Sequence, residues 1–166
     1  TVTKVSSNKM ETKYGEFDVH SYKDSISGSL HLAFTTGVID SNDPLLVRVH
    51  IPNTVRDICD VYNSNRTSWS FSNALEKIAE QGKGVAVLLS GEDYGQDLDQ
   101  NIANVLSDGS ETASINRSGS DLTIGTGSQI LRDLGVGKMR LLSYPAKLNA
   151  ISGFDLEVVE FVEFEK

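Results

Sequence analysis

Leu45-Leu46-Val47-Arg48-Val49-His50 reads as a buried β-strand that delivers Arg48 and His50 to one face. It continues into Ile51-Pro52-Asn53-Thr54-Val55-Arg56-Asp57-Ile58-Cys59 and then Asn63-Ser64-Asn65-Arg66-Thr67. A cysteine-ligated metal after this strand would need several thiolates, and the stretch holds only Cys59. Upstream, residues 14–22 and 29–36 are expected as strands, separated by Ser/Gly-bearing and Asn-Asp-Pro turns. Downstream, 71–80 is expected as a helix, with Phe71, Ala74, Leu75, Ile78 and Ala79 on one face and Gly82 just past its end. Val85 to Leu89 is wholly apolar, as in a strand covered on both faces. Leu98, Ile102, Val105 and Leu106 fall at helical spacing within 95–107, and a polar stretch follows over 110–123. Gly125-Thr126-Gly127-Ser128 then opens a helix to Leu134, 139–142 is a buried strand, 146–152 a short helix, and 156–164 a last strand. A meander followed by helix–strand alternation gives an α/β fold, a mixed β-sheet with flanking helices, in one domain over residues 1–166.

Composition narrows the partners. The net charge of −8 disfavours nucleic acid and anionic membrane, and no apolar run approaches the ~18 residues of a membrane span. One cysteine and no signal-like opening point to the cytoplasm. His20, His31 and His50 fall on different expected strands without paired spacing, so each is expected as a hydrogen-bonded sheet histidine. Gly82-Lys83-Gly84 lacks the rest of a P-loop and is expected as a helix-to-strand turn.

Six motifs, in order from residue 14 to residue 142, resemble the GTP cyclohydrolase II family. Tyr14-Gly15-Glu16-Phe17 is similar to its Tyr-Gly-x-Phe opening, His31-Leu32-Ala33-Phe34 to its His-x-Ala-Leu strand, and Leu46 to His50 to its Leu-Val-Arg-Val-His strand. Gly82-Lys83-Gly84-Val85 is similar to its Gly-Arg-Gly-Val, while Gln129 to Val136 and Lys138 to Leu142 resemble its tail. The resemblance implies an enzyme that opens the guanine ring of GTP and releases formate, using a zinc-bound water. It also implies a dimer, often fused behind 3,4-dihydroxy-2-butanone 4-phosphate synthase. The start at Thr1 without a methionine suggests the C-terminal domain of such a fusion.

The catalytic elements that the resemblance implies depart from the family pattern. Its first zinc thiolate falls at Asn53, and its Cys-x-Cys pair at Ser64 and Arg66, or at Asn65 and Thr67 one residue on. No soft ligand remains there, so no metal site and no cofactor are expected. The family's Gln-Glu-Gly-Arg-Gly loop reads Gly91-Glu92-Asp93-Tyr94-Gly95-Gln96-Asp97, with Glu92 kept, Tyr94 in place of arginine, and two added aspartates. This loop is expected as an acidic, capped helix N-terminus. The third element, Asp-x-Arg, corresponds to Ser120-Asp121-Leu122, with Leu122 in place of arginine and Asp121 as the candidate acid. Positions matching the family's nucleotide contacts are Arg48, His50, Glu92, Thr112, Ser143 and Lys147. Arg48, Lys147 and the helix start at Gly125–Ser128 would together make a vestigial anion pocket.

Three readings follow. The first is a catalytically degenerate domain, a homodimer with a structural or regulatory role beside a linked dihydroxybutanone phosphate synthase. The second is an active GTP cyclohydrolase with a relocated metal, using Glu92 and Asp121 as acid–base groups. The third is a nucleotide- or phosphate-sensing domain that binds without turnover.

Overall fold

The computed structural model describes residues 1–91, 94, 97–107, 117–146, 148 and 151–165, with the side chains of 117–124 excluded. Seven strands form one mixed sheet in the order β1-β2-β3-β5-β4-β6-β7. β1 (Val2–Thr12), β2 (Gly15–Asp24) and β3 (Leu30–Thr36) are an antiparallel meander, and β3 also pairs antiparallel with β5 (Gly84–Leu88). β5, β4 (Leu45–His50), β6 (Lys138–Leu142) and β7 (Glu157–Val162) run parallel. The expected mixed α/β architecture is the one observed.

The chain leaves β4 for β5 on one side and returns from β5 to β6 on the other. Right-handed crossovers in opposite directions put their helices on opposite faces. α2 (Phe71–Gln81) lays Ala74, Leu75 and Ile78 against Leu46, Ala86 and Leu142. α4 (Arg117–Asp133) lays Ile130 and Leu131 against Leu45, Val47, Val85, Val87 and Met139. β4 therefore marks the point where strand order reverses, and the crevice beyond its carboxyl end is the usual ligand position in such sheets. The α2 boundaries follow its sequence: Ser70 caps it by accepting from the Asn73 amide, and Gly82 ends it at φ 77°.

Several expectations are corrected. β1 is a strand that hydrophobic alternation could not reveal, because its interior residues are exposed and it is held by backbone pairing to β2. Gly125–Ser128 lies inside α4, which begins at Arg117, so the expected helix start is displaced into what read as a polar stretch. Of the expected helix at 146–152, residues 147, 149 and 150 lie outside the described residues, and a 3-10 turn spans Ile151–Phe154. α3 (Leu98–Leu106) packs beside the short helix α1 (Thr54–Asp57) but turns Asn101 and Val105 inward, leaving Leu98, Ile102 and Leu106 exposed. Asn101 faces α1 and accepts there from Asn53 Nδ2 and the Thr54 amide, which holds α3 in that orientation. Among the described residues, no helix is long and apolar enough to cross a membrane.

Candidate functional site at the carboxyl ends of the parallel strands

Arg48 and His50 leave β4 on the α2 side and meet there. Arg48 Nε donates to His50 Nδ1 at 3.1 Å, Nη1 to the Leu142 carbonyl at 2.9 Å, and Nη2 to the Trp69 carbonyl at 3.3 Å. The guanidinium thus joins β4 to β6 and to the segment before α2. Because arginine only donates, His50 Nδ1 accepts, and the ring proton sits on Nε2. That proton is donated to Asp57 Oδ2 at 2.8 Å. His50 is fully buried, and burial, aided by the neighbouring Arg48 and Arg56 cations, lowers it to about 4 against the pull of Asp57. Burial pushes the Asp57 carboxyl up. Hydrogen bonds from His50 and from the Asn53 and Phe71 amides outweigh it and hold the group at about 2. Near neutrality the pair is a neutral imidazole donating to a carboxylate.

Asn53 is the other centre of this network. It is 2% exposed and caps α1, its Oδ1 accepting from the Arg56 amide at 3.0 Å. Its Nδ2 donates to the Asn101 carbonyl at 3.1 Å, and Asn101 Oδ1 accepts from the Thr54 amide at 2.7 Å. The following loop is held by its own contacts. Asn63 Nδ2 donates to the Leu106 carbonyl at 3.1 Å, Thr67 Oγ1 donates to the Asn63 carbonyl, and Tyr144 donates its hydroxyl to the Thr67 carbonyl. The Arg66 guanidinium stacks 3.6 Å from the centre of the Tyr144 ring.

The remaining candidates are only partly brought together. Arg48 and Ser143 line one cavity of about 190 Å³ between β4, β6 and α4, whose other walls are mostly apolar, among them Val49, Leu131, Leu141 and Ile151. His50 is outside it. Of the expected anion pocket, Lys147 lies outside the described residues; Gly125–Ser128 offers helix interior where a helix N-terminus was expected, and Arg48 points its donors at protein carbonyls and His50. Gly127 instead permits close contact, since a Cβ there would meet Val49 Cγ1 at 3.0 Å. Asp121 lies within α4, with its side chain outside the described atoms, and Glu92, Thr112 and Lys147 lie outside the described residues. Tyr94 is buried in the core, edge-to-face with His31 at 5.5 Å. Asp97 caps α3 by accepting from the Gln100 amide, in line with the expected acidic helix start. His20 and His31 are hydrogen-bonded within the sheet, His20 to Ser7 and Thr35 and His31 to the Ser90 amide.

The family model for GTP cyclohydrolase II matches residues 3–163. The chain belongs to the GTP cyclohydrolase II family. Among curated proteins it is 43% identical over 165 residues to a 3,4-dihydroxy-2-butanone 4-phosphate synthase of Pseudomonas aeruginosa, covering 99% of this chain and 44% of that protein. It is 37% identical over 172 residues to the riboflavin biosynthesis protein RibBA of Aquifex aeolicus, covering 97% of this chain and 41% of that protein. The crystal structure of RibBX, a two domain 3,4-dihydroxy-2-butanone 4-phosphate synthase from A. baumannii, superposes with a TM-score of 0.69 at 32% identity, over 99% of this chain and 41% of that one. The chain spans less than half the length of these relatives.

The zinc expected of a GTP cyclohydrolase II does not fit the residues in place. Structural and catalytic zinc sites take three or four nitrogen, sulfur or carboxylate donors. Position 53 supplies a buried amide with both ends in use, the 63–67 turn supplies amides, hydroxyls and a stacked guanidinium, and Cys59 is solvent-exposed. Among the described residues no group of three or more His, Cys, Asp and Glu is placed to hold a metal ion. Sequence reasoning missed Asp57 and Asn101. The signal for Asp57 was available, because Asn53-Thr54-Val55-Arg56-Asp57 has the form of a capped helix start directly after His50. Asn101 had none, being a polar residue on a helix that read as apolar.

Proposed function

We propose that residues 1–166 form a catalytically degenerate GTP cyclohydrolase II-like domain of riboflavin biosynthesis, acting in the cytoplasm as the structural or regulatory partner of a linked dihydroxybutanone phosphate synthase. The observation that carries this reading is Asn53. Where a GTP cyclohydrolase II would present its first thiolate, this chain has a helix cap whose amide bonds both α1 and α3. Restoring a metal there would require breaking a buried hydrogen-bonded network as well as replacing ligands. Tyr94, drawn into the core beside His31, supports the same reading, since it stands where the resemblance calls for an arginine at the substrate. The relatives named as synthases, matched over less than half their length, support the linkage. A homodimer is part of the proposal.

The test is elemental analysis of purified protein together with a formate-release assay on GTP. Less than a tenth of an equivalent of zinc and no formate above a protein-free control are expected; stoichiometric zinc with turnover would overturn the proposal. Synthase rates measured with and without this domain then report its regulatory content, and light scattering reports the dimer.

A further inference from the structure

A groove of about 810 Å³ runs between α2 and the end of β7, away from the Arg48–His50 network. At its floor the edge of Trp69, which is 5% exposed and donates its indole N–H to the Val162 carbonyl, meets Phe164 edge-on at 5.0 Å, within a lining that is otherwise mostly polar. Its rims are acidic. Glu76 and Glu80, one helical turn apart, stand on the α2 wall, and Glu160 on β7 with Glu163 and Glu165 just past its end stand opposite, with Lys77 as the one cation in the lining among the described residues. Arg140 pairs with Glu160 at 2.9 Å; the other four glutamates have no ion-pair partner among the described residues. Among the described residues β7 is also the last strand of the sheet and pairs with β6 alone. A bulge at Val159 interrupts the edge, but Glu160 to Val162 continues in regular register with Arg140 to Leu142. An open strand edge beside a concave surface is the arrangement that accepts an added strand.

We propose that this groove binds an extended, lysine- or arginine-rich segment of a separate protein, laid along the free edge of β7. Alternation in an extended segment lets apolar side chains face Trp69 and Phe164 while cations reach the glutamates. The charge selects the occupant: acidic walls on a chain of net charge −8 repel nucleic acid, anionic lipid and acidic peptides. The proposal is independent of whether the domain retains catalysis.

Trp69 is the only tryptophan in the chain and lies on the groove floor, so it serves as the reporter. The intact protein is titrated with a short blocked peptide alternating lysine and valine, and with the same peptide carrying glutamate for lysine. Shifts confined to the Trp69 indole N–H and the amides of β7 are expected, with binding weakened about tenfold or more by the combined E80Q, E163Q and E165Q substitutions. These side chains are exposed, so the variant is expected to keep its thermal midpoint, which is measured alongside. Equal binding of the glutamate peptide, undiminished binding by the variant, or shifts mapping elsewhere would each overturn the proposal. So would concentration-dependent shifts of the same residues without peptide, which would make a second copy the occupant.

Discussion

Acidifying the protein from pH 7 to pH 4 is expected to remove about 3 kcal/mol of stability through His50 alone. The imidazole is fully buried, neutral in the fold, and lowered to about 4 from an ordinary value of 6.5. The unfolded chain therefore takes up this proton at a higher pH than the folded one does. The stabilisation is fully present above pH 6.5 and is lost as pH falls from there towards 4. A difference of 2.5 between those two values converts at about 1.4 kcal/mol per unit to roughly 3 kcal/mol. Asp57, 16% exposed and lowered to about 2 from 3.8, adds about 2 kcal/mol with the same sign, lost as pH falls from about 4 towards 2. The measurement is urea unfolding at closely spaced pH values for the natural protein and H50Q, whose side-chain amide still donates to Asp57 but does not titrate. The two stabilities are expected to converge by about 3 kcal/mol between pH 7 and pH 4. Parallel curves, or a proton NMR titration of His50 centred near 6.5, would refute the reasoning.

Other consequences follow from the same contacts. D57A leaves the His50 Nε2–H and the Asn53 and Phe71 amides without their acceptor and is expected to cost about 3–5 kcal/mol by denaturant unfolding, whereas D57N keeps one carbonyl and costs less. G127A brings a Cβ to 3.0 Å from Val49 and is expected to cost about 1–3 kcal/mol in the same assay, with V49A in the double variant recovering part of it. On α3, V105A is expected to lower stability by about 2 kcal/mol, while L106K changes it by no more than about 0.5 kcal/mol, because Val105 is buried and Leu106 is 73% exposed.

The parts of the fold that could be read from sequence were those where burial imposes a period. β4 and β5 are covered on both faces, so their apolar runs were unambiguous, and α2 carried both an apolar face and cap residues at Ser70 and Gly82. β1 escaped because a strand paired to one neighbour, with nearly all its side chains exposed, imposes no hydrophobic pattern. α3 misled for the opposite reason: its stripe Leu98–Ile102–Leu106 is real, but the buried face is chosen by Asn101 bonding to the α1 start. At the site, Arg48, His50 and Ser143 were found by resemblance, and the first two do meet. Their purpose was not legible. Spacing along the chain cannot show that Arg48 would spend its donors on the Leu142 and Trp69 carbonyls, since those acceptors lie 94 and 21 residues away.

The same geometry explains how the loop after β4 keeps its shape with amides where thiolates would stand. A metal would join position 53 to the 64–67 turn through one ion. Here the two ends are joined to a common post instead, because Asn53 bonds Asn101 near the middle of α3 and Asn63 bonds the carbonyls at its end. Arg66 and Tyr144 then fix the far side of the turn to the segment following β6. Each contact is individually modest, about 1 kcal/mol for an ordinary hydrogen bond, but several act on one short loop. They also act through side chains that have no exchangeable ligand position. A zinc site can admit substrate because a water occupies its open coordination position; a network of satisfied amides offers no such opening. Amides in place of thiolates and retention of the backbone are therefore compatible outcomes of the same substitutions.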